Sequence, residues 1–223
     1  MGSVEQPIAI LGGTAGLGRA LAVRLALAGR RVIIGSRSED RAVKAAEEVN
    51  RITSTNLASG GLNESAAAKA DLVFYAIPFS GLYQLAKSVK RVMKVGSIAV
   101  SCVVPLESEL GGGPEYLEPS TGSAAEALQA ILGDGVKVVS ALTYVSANAL
   151  EDLNSPVDCD VVVCGEKEAS REVMDVLSLI KGVRPLYAGG LKYSRITERL
   201  TVLLIRLNRQ YSSDRAGIRF TYI

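Results

Sequence analysis

The chain alternates between short apolar runs and longer segments whose apolar residues recur every three or four positions. Residues 8–11 (Ile-Ala-Ile-Leu) are apolar throughout and stop at Gly12-Gly13, which reads as a buried strand ended by a turn. Residues 19–28 are helix-compatible, and residues 30–37 (Arg-Arg-Val-Ile-Ile-Gly-Ser-Arg) lead into a second strand. Ala42, Val43, Ala46 and Val49 share one face of a helix over residues 38–51. The pattern then predicts a short third strand at 55–59, a helix at 63–70, and a fourth strand at 71–77 stopped by Pro78. A helix over 79–91, a fifth strand over 95–104, a helix over 123–132 and a sixth strand over 136–142 complete the alternation of a doubly wound sheet.

Beyond residue 145 the texture changes. A short helical turn at 146–150 precedes a strand at 159–165, an amphipathic helix at 167–180 and an extended piece at 184–188. A long helix within 191–208 carries Ile196, Leu200, Leu203, Leu204 and Leu207, too much apolar surface to stand in water. It must pack on the preceding residues or across a dimer axis, and a homodimer is expected. Residues 217–223 alternate as an edge strand would. The expected fold class is therefore α/β: a doubly wound domain over 1–145, which the glycine-rich turn Gly12-Gly-Thr-Ala-Gly-Leu-Gly18 between strand and helix marks as Rossmann-like and NAD(P)-binding, with a small C-terminal α/β appendage over 146–223. That appendage is expected to complete the cleft for a second ligand and to carry the dimer contact. Residues 106–121 are rich in Gly, Pro and Glu and lack periodicity. They read either as a flap over the cleft or as a disordered surface loop.

The chemistry enters at the first turn. Gly13-x-Ala15-x-x-Gly18 follows the dinucleotide-binding frame with alanine in its middle place. Gly13 is expected to take the positive φ of the turn, and Gly18 to let helix and strand approach closely. Backbone N–H groups of Thr14, Ala15, Gly16 and Leu17 would face the phosphates, with Thr14 adding a hydroxyl. At the end of the second strand an NAD site usually presents an acidic residue; here Ser36 and Arg37 stand there, with Arg41 one helical turn on. A hydroxyl and two guanidinium groups suit a 2′-phosphate, so NADP(H) is the expected coenzyme. Glu39 and Asp40 complement the positive end of their helix. Ile77, Pro78 and Phe79 leave the fourth strand, and Thr143, Tyr144 and Val145 leave the sixth, at the strand ends where ligands of open α/β sheets bind. Pro78 would offer a rigid N–H-free surface to a flat ring. Tyr144 reads equally as a pocket wall or as core packing at a strand end.

Composition narrows the classes. A net charge of +2 with dispersed Lys and Arg gives no nucleic-acid platform, and no apolar run reaches membrane-spanning length. The first seven residues lack the pattern of a secretory leader, so a cytoplasmic location is expected. There is no histidine, and the three cysteines form no CxxC pair, which argues against a metal site and removes the commonest general base. Tyr83 and Lys87 have the Tyr-x-x-x-Lys spacing but fall on the helix after strand four, outside its usual setting.

Several blocks in order, Leu11-Gly-Gly-Thr14, Leu17-Gly18, Gly35-Ser-Arg37, Ala76-Ile-Pro78, Val138-Val-Ser-Ala141, Val163-Cys-Gly165, Arg184-Pro-Leu186 and Ser194-Arg195, carry a wider likeness. The chain resembles the archaeal NADPH-dependent coenzyme F420 oxidoreductases over nearly its whole length. The resemblance implies direct hydride exchange between NADP and an 8-hydroxy-5-deazaflavin, with no acid–base residue assigned. It implies that Thr14, Ser36, Arg37 and Arg41 hold NADPH, and that Ile77, Pro78 and the segment after Ala141 approach the two rings. Two positions depart from the family pattern: Ala15 stands for a glycine, and Leu142-Thr-Tyr-Val-Ser-Ala147 lacks the family's histidine. Thr143 or Tyr144 could replace it through a hydroxyl. An NADP-dependent reductase of another small substrate, and an NADP-binding protein that has lost its second site, stay open as alternatives.

Overall fold

The computed structural model describes residues 6–223; residues 1–5, which carry most of the leader argument, lie outside the described part. Among the described residues eight strands form one sheet: β1 (Ile8–Leu11), β2 (Val32–Ser36), β3 (Ala58–Leu62), β4 (Leu72–Tyr75), β5 (Ile98–Ser101), β6 (Lys137–Ser140), β7 (Cys159–Gly165) and β8 (Val183–Tyr187). Their spatial order is β3-β2-β1-β4-β5-β6-β7-β8. Strand order reverses between β1 and β4, so that crevice is the site the topology offers to a ligand. All neighbours are parallel except β6 and β7, which pair antiparallel at only Val139↔Gly165 and Ser140↔Cys164.

Both faces of the sheet are covered, which is why the strands read as continuous apolar runs. Ile8 and Ile10 point into one core layer, with α1 (Gly16–Leu27), α2 (Glu39–Thr53) and α7 (Lys167–Leu177). Ala9 and Leu11 point into the other, with α3 (Asn63–Lys69), α4 (Leu82–Val89) and α5 (Ala124–Leu132). Two further helices, α6 (Ala147–Glu151) and α8 (Ser194–Gln210), complete the chain.

Two elements differ from the periodicity. The third strand begins at Ala58, not 55, because the intervening residues are spent on turning. Ser54 takes a left-handed conformation at the end of α2, and the Asn50 carboxamide grips Ala58 through both its N–H and its carbonyl. The α/β appendage over 146–223 is joined edge to edge, its β7 and β8 extending the same sheet. Finally, residues 217–223 form no strand. They run along β7 with one ladder-like bond, Asp160 N–H to the Ile218 carbonyl, and are held by side chains instead.

Residues 150–155, which lead into β7, are joined to α1 by a buried arginine. The Arg24 guanidinium, on α1, donates to the carbonyls of Leu150, Asp152 and Ser155. A buried cation is tolerable here because carbonyls at the end of α6 supply the acceptors that water would.

Candidate functional site

The first turn is built by Gly12, whose φ is +82°, and by Gly16 at +49°. Gly13, expected to take the positive φ, does not; β1 ends at Leu11, so the first residue to turn is Gly12. A Cβ at Gly12 would lie 2.5 Å from Ile77 Cγ2 and closer still to the Ala76 carbonyl oxygen. The glycine turn and the end of β4 are thus in direct contact across the crevice. Gly18 does permit close approach: a Cβ there would meet the Gly12 carbonyl oxygen at 2.6 Å.

Helix α1 opens at Gly16 with Ala15 as its cap residue, no capping side chain and no acid in its first turn. Its first N–H groups therefore face an uncrowded, positive helix end, the arrangement that receives phosphate. Ala15 is extended, with its methyl exposed, so it does not obstruct the turn. Thr14 is half-buried and Leu17 packs against the core. A pyrophosphate fits this cradle on geometry and charge.

Beside it, the β2 end presents Ser36, whose Oγ accepts the Ser38 N–H at 3.2 Å. Ser38 caps α2 by accepting from Arg41 N–H, while Arg37 and Arg41 are exposed at the same corner. Glu39 and Asp40 occupy the first turn of α2, as its helix end favours.

On the β4 side Pro78 is exposed, Ile77 half-buried, and Phe79 packs edge-on to Tyr83 at 5.8 Å. Here an unexpected residue enters. Glu109 accepts hydrogen bonds from the N–H groups of Phe79 (3.1 Å) and Ser80 (2.9 Å). It belongs to the stretch read as flap or loop, which is an ordered strap. At its far end Tyr116 donates to Glu198 at 2.9 Å and stacks under Arg199, while Glu115 pairs with Arg206 and Glu118 with Arg199. Glu198, fully buried on α8, also accepts the Ala124 and Ala125 N–H groups at the start of α5; burial pushes its carboxyl up to about 7. Nothing in the strap's composition pointed to these anchors, since their partners lie far along the chain.

The β6 end corrects the expected second pocket. Tyr144 is buried, donates to the Asp160 carbonyl at 2.9 Å and accepts Val162 N–H at 3.0 Å. The antiparallel pairing of β6 and β7 lasts two residues, and the phenol bridges the gap where the strands diverge. Its hydroxyl is used inside the core and does not wall the cleft. Thr143 is also buried, its hydroxyl donating to the Thr197 carbonyl at 3.3 Å, and Val145 is a core residue. What the segment does offer is strain: Leu142, buried, has φ +61°. A left-handed leucine is the kind of backbone outlier found where a site dictates conformation.

Among the described residues no cluster of three or more potential metal ligands occurs, and no helix is long and apolar enough to cross a membrane. The three cysteines are buried and unpaired.

Comparison with known proteins agrees with this geometry. Residues 7–105 match the family described as NADP oxidoreductase coenzyme F420-dependent. An F420-dependent NADP reductase of Methanocaldococcus jannaschii is 42% identical over 220 residues, covering 96% of this chain and 97% of that protein. One from Methanothermobacter marburgensis is 39% identical over 219 residues, with coverage of 96% and 97%. A solved structure from Arthrobacter sp. FB24 superposes with a TM-score of 0.80, covering 97% of this chain and 100% of its own at 24% identity, and shares the fold.

Proposed function

Because the chain belongs to the family of F420-dependent NADP reductases, we propose that it exchanges hydride between NADP(H) and coenzyme F420 in the β1–β4 crevice. The observation that carries the placement is the contact of the Gly12 turn with Ala76 and Ile77, which sets a phosphate cradle beside a ring-binding strand end. When bound, the nicotinamide C4 and the deazaflavin C5 supply the hydride donor and acceptor.

The chain's own tasks are binding, alignment and exclusion of water. The N–H groups of the Thr14–Leu17 turn hold the pyrophosphate, with Gly13 packed against Ile10 and Ile34. Ser36, Arg37 and Arg41 hold the 2′-phosphate. Ile77, Pro78 and Phe79 set the plane of the rings, which react only when stacked at roughly 3 to 3.5 Å. Backbone at 142–145 closes the other side, since the side chains of Thr143 and Tyr144 are turned inward. The strap carrying Glu109 and Tyr116 covers the mouth. No side chain is assigned acid–base work. We infer a cytoplasmic enzyme whose residues 146–223 complete the cleft.

The test is to mix the purified protein with NADPH and coenzyme F420 and follow the deazaflavin absorbance. Bleaching with NADPH and little with NADH is expected. Normal NADPH binding without bleaching would instead favour an NADP-dependent reductase of another substrate, in keeping with the absence of the family's histidine from residues 142–147.

Arg37→Ala is expected to weaken NADPH by roughly 10- to 100-fold, about 1.5 to 3 kcal/mol for one lost phosphate pair, and NADH far less. Titration of both nucleotides checks it; two unchanged affinities would remove Arg37 from the site.

The long helix supports a homodimer. It buries Ser194, Thr197, Glu198 and Leu204 while Ile196 and Leu203 stay 61% and 50% exposed, with Leu207 beside them. A helix that turns polar residues inward and an apolar stripe outward needs a partner on that stripe, and a second copy is the proposed one. Sedimentation at micromolar concentration is expected to show a dimer, and Leu203→Glu to give a monomer. A wild-type monomer would refute the assignment.

A further inference from the structure

The nucleotide corner contains one buried polar atom that the chain leaves unsatisfied. Asn63 stands one residue past Leu62, whose register partner is Ser36, so it lies beside the Gly35–Ser36–Arg37 corner at the carboxyl edge of the sheet. It is 6% exposed, and its Oδ1 has no hydrogen-bond partner. Gly35 makes room for it: a Cβ there would come within 2.8 Å of Oδ1 and 2.7 Å of Leu11 Cδ2. The Gly35 carbonyl in turn receives the Gly12 N–H at 3.1 Å, which links this carboxamide to the phosphate turn through a single residue.

Buried acceptors in folded proteins are almost always paired, and an orphan calls for a donor from outside the chain. The buried hydroxyls of Ser101, Ser140 and Ser170 are also unpartnered, but they lie on β5, β6 and α7 and can rotate a proton in either direction. Asn63 Oδ1 only accepts. The ligand group assigned to this corner is a ribose whose 2′-oxygen is esterified, so its remaining donor is the 3′-hydroxyl.

We propose that Asn63 positions the adenosine ribose of NADP(H) by accepting its 3′-hydroxyl at Oδ1. Asn63 is then a positioning residue for the nucleotide half, serving NADPH and NADH alike, whereas Ser36, Arg37 and Arg41 discriminate between them. The proposal rests on the NADP reading above.

The experiment compares NADPH with its 3′-deoxy adenosine analogue by titration against the wild type and Asn63→Ala. The wild type is expected to bind the analogue about tenfold more weakly, the effect of one lost hydrogen bond to a buried acceptor. Asn63→Ala is expected to bind both nucleotides equally, at the wild type's affinity for the analogue or below. A purely structural asparagine would lower both affinities and keep the tenfold gap, which overturns the proposal; so does a wild type that does not distinguish the two. Asn63→Ser, with melting temperatures for both variants, guards against a folding defect, and is expected to restore part of the gap through its hydroxyl. A wild type that binds no NADPH would instead remove the functional reading on which the proposal stands.

Discussion

Gly12→Ala is expected to abolish NADP(H) binding and to lower the melting temperature by about 6 to 12 °C. Two costs combine. A side chain at φ +82° carries about 1 to 2 kcal/mol of left-handed strain. The added methyl also overlaps the Ala76 carbonyl and Ile77 Cγ2, so β1 and β4 must separate where the sheet is buried on both faces. A total of about 3 kcal/mol corresponds to the stated shift for a chain of this size. Gly16→Ala provides the control. Its φ is +49° but no atom lies within 4 Å of the new methyl, so only the strain remains, about 1 kcal/mol and about 2 to 4 °C. Thermal melts and NADPH titration of both variants check the pair. Equal effects would mean that contact with β4 does not set the turn.

Asp160→Asn is expected to destabilise the fold by about 3 to 5 kcal/mol and to free the C-terminal residues for proteolysis. The carboxylate is fully buried on β7 and accepts from Arg184 Nε and Nη2 (2.8 and 2.6 Å), Arg219 Nη1 (2.7 Å) and Phe220 N–H (2.6 Å). Arg184 also donates to the Phe220 carbonyl, so the acid stands at the centre of the contacts that fasten the tail, beside those of Arg219 with Asp158 and the Gly182 carbonyl. The asparagine keeps the volume, removes the charge and sets an NH2 group against donors. The Arg184 hydrogen bonds, foremost, hold the Asp160 carboxyl well below the usual carboxylate range, against the opposing effect of burial. A depressed folded-state pKa contributes stability above the unfolded value, near 3.9, that disappears as pH falls through the folded value. The wild type is therefore expected to lose this increment only below about pH 4, and the variant to show a shallower acid slope there. Melts between pH 3 and 7, with limited proteolysis at pH 7, measure both effects. A variant as stable and as protease-resistant as the wild type would mean that the tail is held elsewhere.

Local chemistry made much of the site legible. A strand that must be buried on both faces has to be apolar throughout, a chain that reverses at its end has to use glycine, and a 2′-phosphate has to be met by cations. Residues 8–18 obey the first two demands and residues 36–41 supply the cations of the proposed corner, so the α/β alternation could be read directly and the NADP corner proposed from the same stretch. The same locality explains a small error. The frame pointed to Gly13 for the positive φ, but which of two adjacent glycines turns depends on where β1 lets go of its neighbours, and that made it Gly12.

The remaining decisions belonged to partners far apart in sequence. Tyr144 reads equally well as pocket wall or core until β7 diverges from β6 and leaves backbone groups at 160 and 162 for its hydroxyl. Glu109 is one acid in a glycine-rich stretch until folding brings it to the amides after Pro78. Tail residues 217–223 alternate like a strand, yet side-chain contacts centred on one buried aspartate, more than a ladder, hold them. Periodicity along a chain records which faces meet apolar surroundings, whereas hydrogen bonds between buried polar groups depend on where separate elements stop and separate. The sequence therefore determined the βαβ frame and pointed to the proposed coenzyme corner, and tertiary packing decided which side chains were drawn into the core instead.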